Sequence, residues 1–414
     1  MDCAKLKADI ERLREARNAF DGTVASANDT GLGKIKCNEV MKRASELEDE
    51  ILQTYMEDAG EHNLELFHHF HYGERIDGFG GIVIHSTLKL SDNEVLVCGG
   101  KYERGETRIL RKGEDGLWGY DSNSIDGFGD DARISSTLRL SDNEVLVCGG
   151  GETRILRKSE DGSWNYDSNS IDGFDGTVIH STLRLSDNEV LVCGISKTHI
   201  LRKGEDGLWN YDSNGIDGFS YNIECSTLRL SDNEVLVCGD GKTRILHKGE
   251  DGLWNYDSNG IGGFRGNISS TLKLSDSEVL VCGSGAERRG ETRILRKDED
   301  GSWNYDGEGI DGFEGSVIRS TLKLSDNEVL VCGGEFKRGE TRILRKGEDG
   351  LWGYGSNSID GFDNAAFSTL KLSDDEVLVC GINGETRILH IDMDIDLDKL
   401  KQKLTEIAAK KDEA

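Results

Sequence analysis

A chain of 414 residues is too long for an ordinary single core, so a repeat array or two to three domains is expected. Its 78 acidic and 50 basic residues leave a formal charge of −28, which excludes a general nucleic-acid or anionic-membrane binder because phosphate surfaces attract positive charge. No run approaches the roughly 18 apolar residues of a membrane span, and the N-terminus mixes charged with apolar residues where a secretory signal would be apolar; a cytoplasmic protein without membrane insertion is the expectation.

Residues 1–66 carry two apolar stripes separated by Asp-Thr-Gly-Leu-Gly. Leu6, Ile10, Leu13 and Phe20 form the first, Val40, Ala44, Leu47 and Ile51 the second. Spacings of three, four and seven predict two amphipathic helices. His62, His68, His69 and His71 follow. If residues 67–72 are a strand, His69 and His71 share one face and His68 the other, too few for a metal site, so none is expected there.

From Ile76 onward the chain repeats itself. Units aligned on Ile-Asp-Gly-Phe begin at Ile76, Ile125, Ile171, Ile216, Ile261, Ile310 and Ile359, at spacings of 45 to 49 residues. Periods of this size with strand-like content predict propeller blades. Within a unit, "STLKLSDNEVLVCGG" reads as a hairpin, "ETRILRK" as a third strand, and "LWNY" or "SWNY" after the "GEDG" turn as a fourth. Seven units of four strands make an all-β, seven-bladed propeller.

The seventh unit lacks its Trp strand, and "HHFHYGERIDGF" (68–79) supplies a match to it, with Phe70 where Trp118 stands and Tyr72 where Tyr120 stands. Residues 67–72 are therefore expected to close the last blade, as a velcro strand. The propeller is assigned to 67–395. A third apolar stripe, Leu397, Leu400, Leu404 and Ile407 behind the N-cap Asp396, predicts a helix over 396–414. These helical ends are expected to pack together or on the rim; the alternative is oligomerisation or partner docking through them.

Each unit resembles a kelch blade in its apolar strand ending in Gly-Gly and its later Trp, as in "STLRLSDNEVLVCGGGETRILRKSEDGSW" (136–164). The pair is kept at 99–100, 149–150 and 333–334 and lost at Gly194-Ile195, Gly239-Asp240, Gly283-Ser284 and Gly381-Ile382, and the kelch Tyr is missing. "RKSEDGSW" looks somewhat like an Asp-box turn and "SDNEVLVCGG" like the first hairpin of a WD-repeat blade. These likenesses imply architecture rather than one activity.

The repeated residues read as structure. Trp118, Trp164, Trp209, Trp254, Trp303 and Trp352 occur once per unit, as blade anchors do, with Phe70 as the seventh. Cys98, Cys148, Cys193, Cys238, Cys282, Cys332 and Cys380 each end a Val-Leu-Val run and are expected to be reduced core thiols. Lys89, Arg139, Arg184, Arg229, Lys273, Lys323 and Lys371 give one cation per blade, and Glu94 with its counterparts one anion; between-blade ion pairs are expected from them rather than an anion-binding channel mouth. The "DSNSIDGF" loops are the alternative place for calcium, but Asp126 follows Asp121 by one residue too many and no bidentate Glu follows. No cofactor, metal or catalytic residue is assigned; nucleophile-elbow, phosphate-loop and dinucleotide signatures are absent.

Variation between units falls in two places, the loop after "VLVCG" and the link after "IDGF", which in a four-stranded blade emerge on one face. The near-constant "SDNE" and "GEDG" turns emerge on the other. Units one, five and six have the long loops, carrying Lys101, Tyr102, Arg104, Arg288, Arg289, Phe336, Lys337 and Arg338. Arg and aromatic residues on an acidic body suit an interface. The expected function is a non-catalytic scaffold that holds a protein on this face; the alternative is a glycan-binding lectin or glycan-active hydrolase of propeller type.

Overall fold

The structure, a computed structural model, describes residues 67–394 apart from 81–82, 102–103, 129–132, 175–177, 196, 217–224, 286–288, 316 and 348. The helices expected over 1–66 and 396–414 lie outside the described residues. Among the described residues no helix is long and apolar enough to cross a membrane.

Seven four-stranded antiparallel sheets make a seven-bladed propeller. Blade 1 consists of Val83–Ser91, Glu94–Lys101, Arg104–Lys112 and Trp118–Tyr120, hydrogen-bonded in that order. Blades 2 to 6 repeat the pattern. Blade 7 takes Ala366–Lys371, Glu376–Gly381 and Thr386–Asp394 from the end of the array and its outer strand, Phe67–Arg75, from before the beginning. The first strands lie innermost and touch one another around the ring.

The second strand is buried on both faces, which is why Val-Leu-Val-Cys is a continuous apolar run rather than an alternation. One face of each sheet packs on the blade before it and the other on the blade after. Trp209 of blade 3 shares a cluster with Leu140, Leu146 and Ile155 of blade 2. Trp164 of blade 2 does the same with Leu90, Leu96 and Ile109 of blade 1. Burying a large aromatic contributes roughly 1.5–3 kcal/mol, and a lysine ammonium lies 5.7 or 5.8 Å over each indole. Phe70 is only partly buried against its cluster, so the seventh anchor is lighter than the other six.

Three polar rings join the blades, and they explain words of the repeat that apolar periodicity leaves unread. In "STL", the serine of one blade meets the threonine of the next: Ser86 with Thr137, Ser136 with Thr182, and so on to Ser368 with Thr87, at 2.7 or 2.8 Å. The tyrosine of the outer strand reaches back to the preceding blade's "TR" threonine, as in Tyr211 with Thr153 at 2.7 Å. Tyr72 with Thr341 (2.8 Å) and Tyr120 with Thr386 (2.8 Å) carry this ring through the closure. Gly173 (φ +128) is a glycine because a Cβ there would stand 2.9 Å from the Tyr211 side chain.

Ion pairs form the third ring, with partners other than those expected. Glu94 pairs with Lys158 of blade 2 at 3.4 Å, and Lys112 reaches Glu376 of blade 7 at 2.9 Å. Among the described residues, the cations at the Lys89 positions form their ion pairs within their own turns. Lys89 binds Asp92 of its own turn (2.9 Å) and donates to the Leu372 carbonyl of blade 7 (2.7 Å). Asp92, three residues on, is the nearer anion, and the neighbouring blade presents main-chain oxygen there.

The seven cysteines of the "VLVCG" runs are buried and unbridged, as is Cys225. Burial pushes the thiols of Cys98, Cys148, Cys238, Cys282, Cys332 and Cys380 up to about 12. They are core thiols rather than nucleophiles.

Candidate functional site

Register fixes which loops share a face. Ile84 of the first strand pairs with Gly99, near the end of the second strand that leads into the "VLVCG" loop, while Ser91 pairs with Glu94 across the "SDNE" turn. The incoming link and the second hairpin therefore meet at one end of the blade, where they bond directly: Gly334 donates to the Val317 carbonyl at 2.9 Å, and Ile195 to that of Val178 at 2.9 Å. Glutamates of the "GETR" segment reinforce this end. Glu385 is fully buried, accepts from the main chain of Asp363 and Asn364 (both 3.1 Å) and is held by Arg387 at 3.1 Å.

The hairpin residues named from sequence that lie among the described residues fall on this end. Phe336 and Lys337 form the two-residue tip of the blade 6 hairpin, between Glu335 and Arg338, which pair. Phe336 is 60% exposed. Lys337 adopts a left-handed φ of 63° and lays its ammonium 5.6 Å over the Phe336 ring. Arg338 is exposed, as is Arg289, whose carbonyl accepts from Gly285 at 2.7 Å. In blade 1, Lys101 and Arg104 pair as the last and first strand residues of the matching hairpin. Their side chains, together with Tyr102 and Arg288, lie outside the described residues.

A set that sequence reasoning passed over lies beneath these hairpins. The residue before "Ser-Thr-Leu" in each innermost strand is His85, Ser135, His180, Cys225, Ser269, Arg319 or Phe367, and all seven, with Arg133, line one cavity of about 110 Å³. This is the mouth of the central channel at the variable end. Arg319 stacks over Phe367 (4.2 Å), and the His85 ring meets the same phenylalanine edge-on at 5.4 Å. The serines donate outward, Ser135 to the Ile179 carbonyl and Ser269 to that of Ile318. Burial drives the His85 imidazole down to about 3, helped by the charges of Arg133, Arg319 and His180. The signal was present in the sequence, as a varying letter directly before the constant "STL". It reads in sequence as the end of the variable link after "IDGF", because the link before it also varies.

Larger grooves run between blades at the rim. One of about 550 Å³ is lined by Arg111, Asp121, Asn123, Asp126, Trp164 and Asn165. One of about 470 Å³ between blades 5 and 6 repeats it with Arg296, Asp306, Glu308 and Trp352. The carboxylate of Asp121, considered above for calcium, is engaged at both oxygens by Arg111 Nε (3.0 and 2.9 Å). His71 stacks on His390 (5.1 Å); the side chains of His68 and His69, and the whole of His62, lie outside the described residues.

No family model matches the chain, and no curated protein does. Solved structures do resemble it. YCF48 bound to a D1 peptide superposes with a TM-score of 0.56 at 14% identity, over 78% of this chain and 95% of its own. Virginiamycin B lyase from Staphylococcus aureus superposes with a TM-score of 0.52 at 10% identity, over 78% and 99%. One of these holds a peptide and the other is named for catalysis. The chain shares with both a propeller fold.

Proposed function

We propose that this propeller is a non-catalytic binding scaffold that holds a protein partner on the face carrying the variable hairpins and the channel mouth. One observation carries the reading: units that are otherwise near copies differ at this end, both in their hairpins and in the seven channel residues. Rigid blades with individual loops are the usual arrangement for recognition. The Gly-Gly likeness to kelch blades agrees with a binding role, as does a peptide held by YCF48.

The test is affinity capture by the intact chain beside a version whose three long hairpins are cut to the Gly-Gly-Glu length of unit two. A partner retained only by the intact chain supports the reading; a partner retained by both removes it.

A second reading, a glycan-binding propeller, draws on the rim grooves, where a tryptophan sits beside acids and amides between successive blades. A glycan array with the Trp164→Phe variant as its control separates the two.

A further inference from the structure

We propose that the partner of the variable face is held through one extended, acidic segment of its chain, laid in a cleft over blade 7 between the hairpins of blades 1 and 6. That a partner exists rests on the binding reading above; the cleft is a feature of the fold.

Register sets the heights of the hairpins. In blades 1 and 6 the ladder between the second and third strands runs on until Lys101 stands opposite Arg104 and Glu335 opposite Arg338. In blade 7 it stops at Cys380 opposite Thr386, followed by one bond from Gly381 to the Glu385 carbonyl (2.9 Å) and the turn Ile382–Gly384. Both neighbours therefore stand two residue pairs higher than blade 7, which is about 7 Å at the rise of a strand. Blades 2 to 4 end at the level of blade 7, with Gly149 opposite Glu152, Gly194 opposite Lys197 and Gly239 opposite Lys242, so the cleft opens inward over them. Blade 7 packs on blade 6 by one face and on blade 1 by the other. Sheets stacked face to face lie about 10 Å apart, so hairpins two blades apart stand about 20 Å apart and leave about 10 Å between their side chains. That width admits one extended chain, whereas a helix about 10–12 Å across would have no clearance.

The walls are braced at their bases. Gly339 of the blade 6 hairpin donates to the Asp363 carbonyl at 3.4 Å, and the Asp363 N–H is itself held by the buried Glu385. On the other side, Gly384 is a glycine because a Cβ there would stand 1.5 Å from the Phe79 carbonyl oxygen in the link that enters blade 1. Arg75 ties the floor by donating to the Asn383 carbonyl at 2.9 Å. A cleft already formed spares the partner much of the ordering cost of binding. Charge selects the occupant. On a chain of net −28, each wall ends in two basic residues to one acid: Lys101 and Arg104 with Glu103, Lys337 and Arg338 with Glu335. Lys337 and Arg338 are exposed beside the exposed Phe336 ring. A segment with a carboxylate next to an apolar residue complements that tip.

Full-length protein is panned against a phage-displayed library of random twelve-residue peptides, and the most enriched peptide, made with a fluorescein label, is titrated by anisotropy. Enriched sequences should place Asp or Glu beside an apolar residue. Binding should weaken roughly tenfold in Lys337→Glu/Arg338→Glu, as loss of a charge-assisted contact does. It should be lost when Ile382–Gly384 is replaced by a copy of residues 334–339, which raises blade 7 to the height of its neighbours and fills the cleft. Both variants are checked for the denaturation midpoint of the parent, and the charge reversal decides alone if the graft does not fold. No enriched peptide, or one that binds the variants as tightly as the parent, overturns the proposal. Enriched sequences with apolar residues three and four apart assign a helix and overturn the extended occupant. A partner captured from lysate and held equally by both variants keeps the binding reading and removes the cleft. A peptide that obeys both variants, with no captured partner, does the reverse.

Discussion

The two ends of each blade have been treated differently. At one end the "SDNE" turn is nearly identical in every unit and its side chains serve the turn and the ring alike: Arg139 binds Asp142 at 2.9 Å and donates to the Leu90 carbonyl of blade 1 at 3.0 Å. At the other end the hairpins differ in length and chemistry, and seven channel positions hold five residue types. Uniformity marks what the ring needs to close; individuality marks what only one blade has to do. The constant end is not wholly polar, since Leu117, Leu208, Leu253 and Leu351 are exposed at their "GEDG" turns. Units two and five carry Ser163 and Ser302 there instead, so folding does not require the leucines.

The largest effect should come from breaking the shared packing. Trp209→Ala removes a buried indole between blades 2 and 3 and should cost about 3–5 kcal/mol, read as a lower denaturation midpoint. A cost below about 1 kcal/mol would mean the anchors are dispensable.

Acid should act next, through the individual end. The folded His85 is held near 3 while an unfolded histidine titrates near 6.5, so the unfolded chain binds the extra proton between these values and stability falls as pH drops through that window. At pH 5 this one group should cost about 2 kcal/mol. His85→Asn should therefore lose less stability than the parent between pH 7 and pH 5, by denaturant titration at each pH. Equal losses would contradict the burial and charge described for this ring.

Closure offers a finer comparison. Tyr72→Phe and Tyr211→Phe each remove one hydroxyl bond to a threonine of the preceding blade and should each cost about 1 kcal/mol. A far larger loss at Tyr72 would show that the ring opens at its seam.

Much of this was legible beforehand. The 45-to-49-residue period, the four strand words and the half-unit at 67–79 led to seven blades and to the strand that closes them. Those features rest on local signals: turns, β-branched runs and a copied motif. The polar rings were not legible, because Ser86 meets Thr137 across 51 residues and nothing in either word names its partner. For the same reason the Lys89 series was matched to the wrong acids: adjacency between blades has no signature within one unit. The channel mouth was half visible. Its variation could be seen, but only the ring geometry shows that residues before "STL" in seven distant units line one cavity.

The smallest effect on stability and the largest on function should come from the hairpin tips. Tyr102→Ala/Phe336→Ala/Arg338→Ala should change stability by less than about 0.5 kcal/mol, because the Phe336 and Arg338 side chains are exposed. The most direct measurement sets the two ends against each other: quantitative affinity capture by the parent, by this triple variant, and by Leu117→Ser/Leu208→Ser/Leu253→Ser/Leu351→Ser. Capture lost in the hairpin variant and kept in the serine variant is the result predicted. Capture lost in the serine variant, or kept in both, would contradict the assignment of recognition to the variable end.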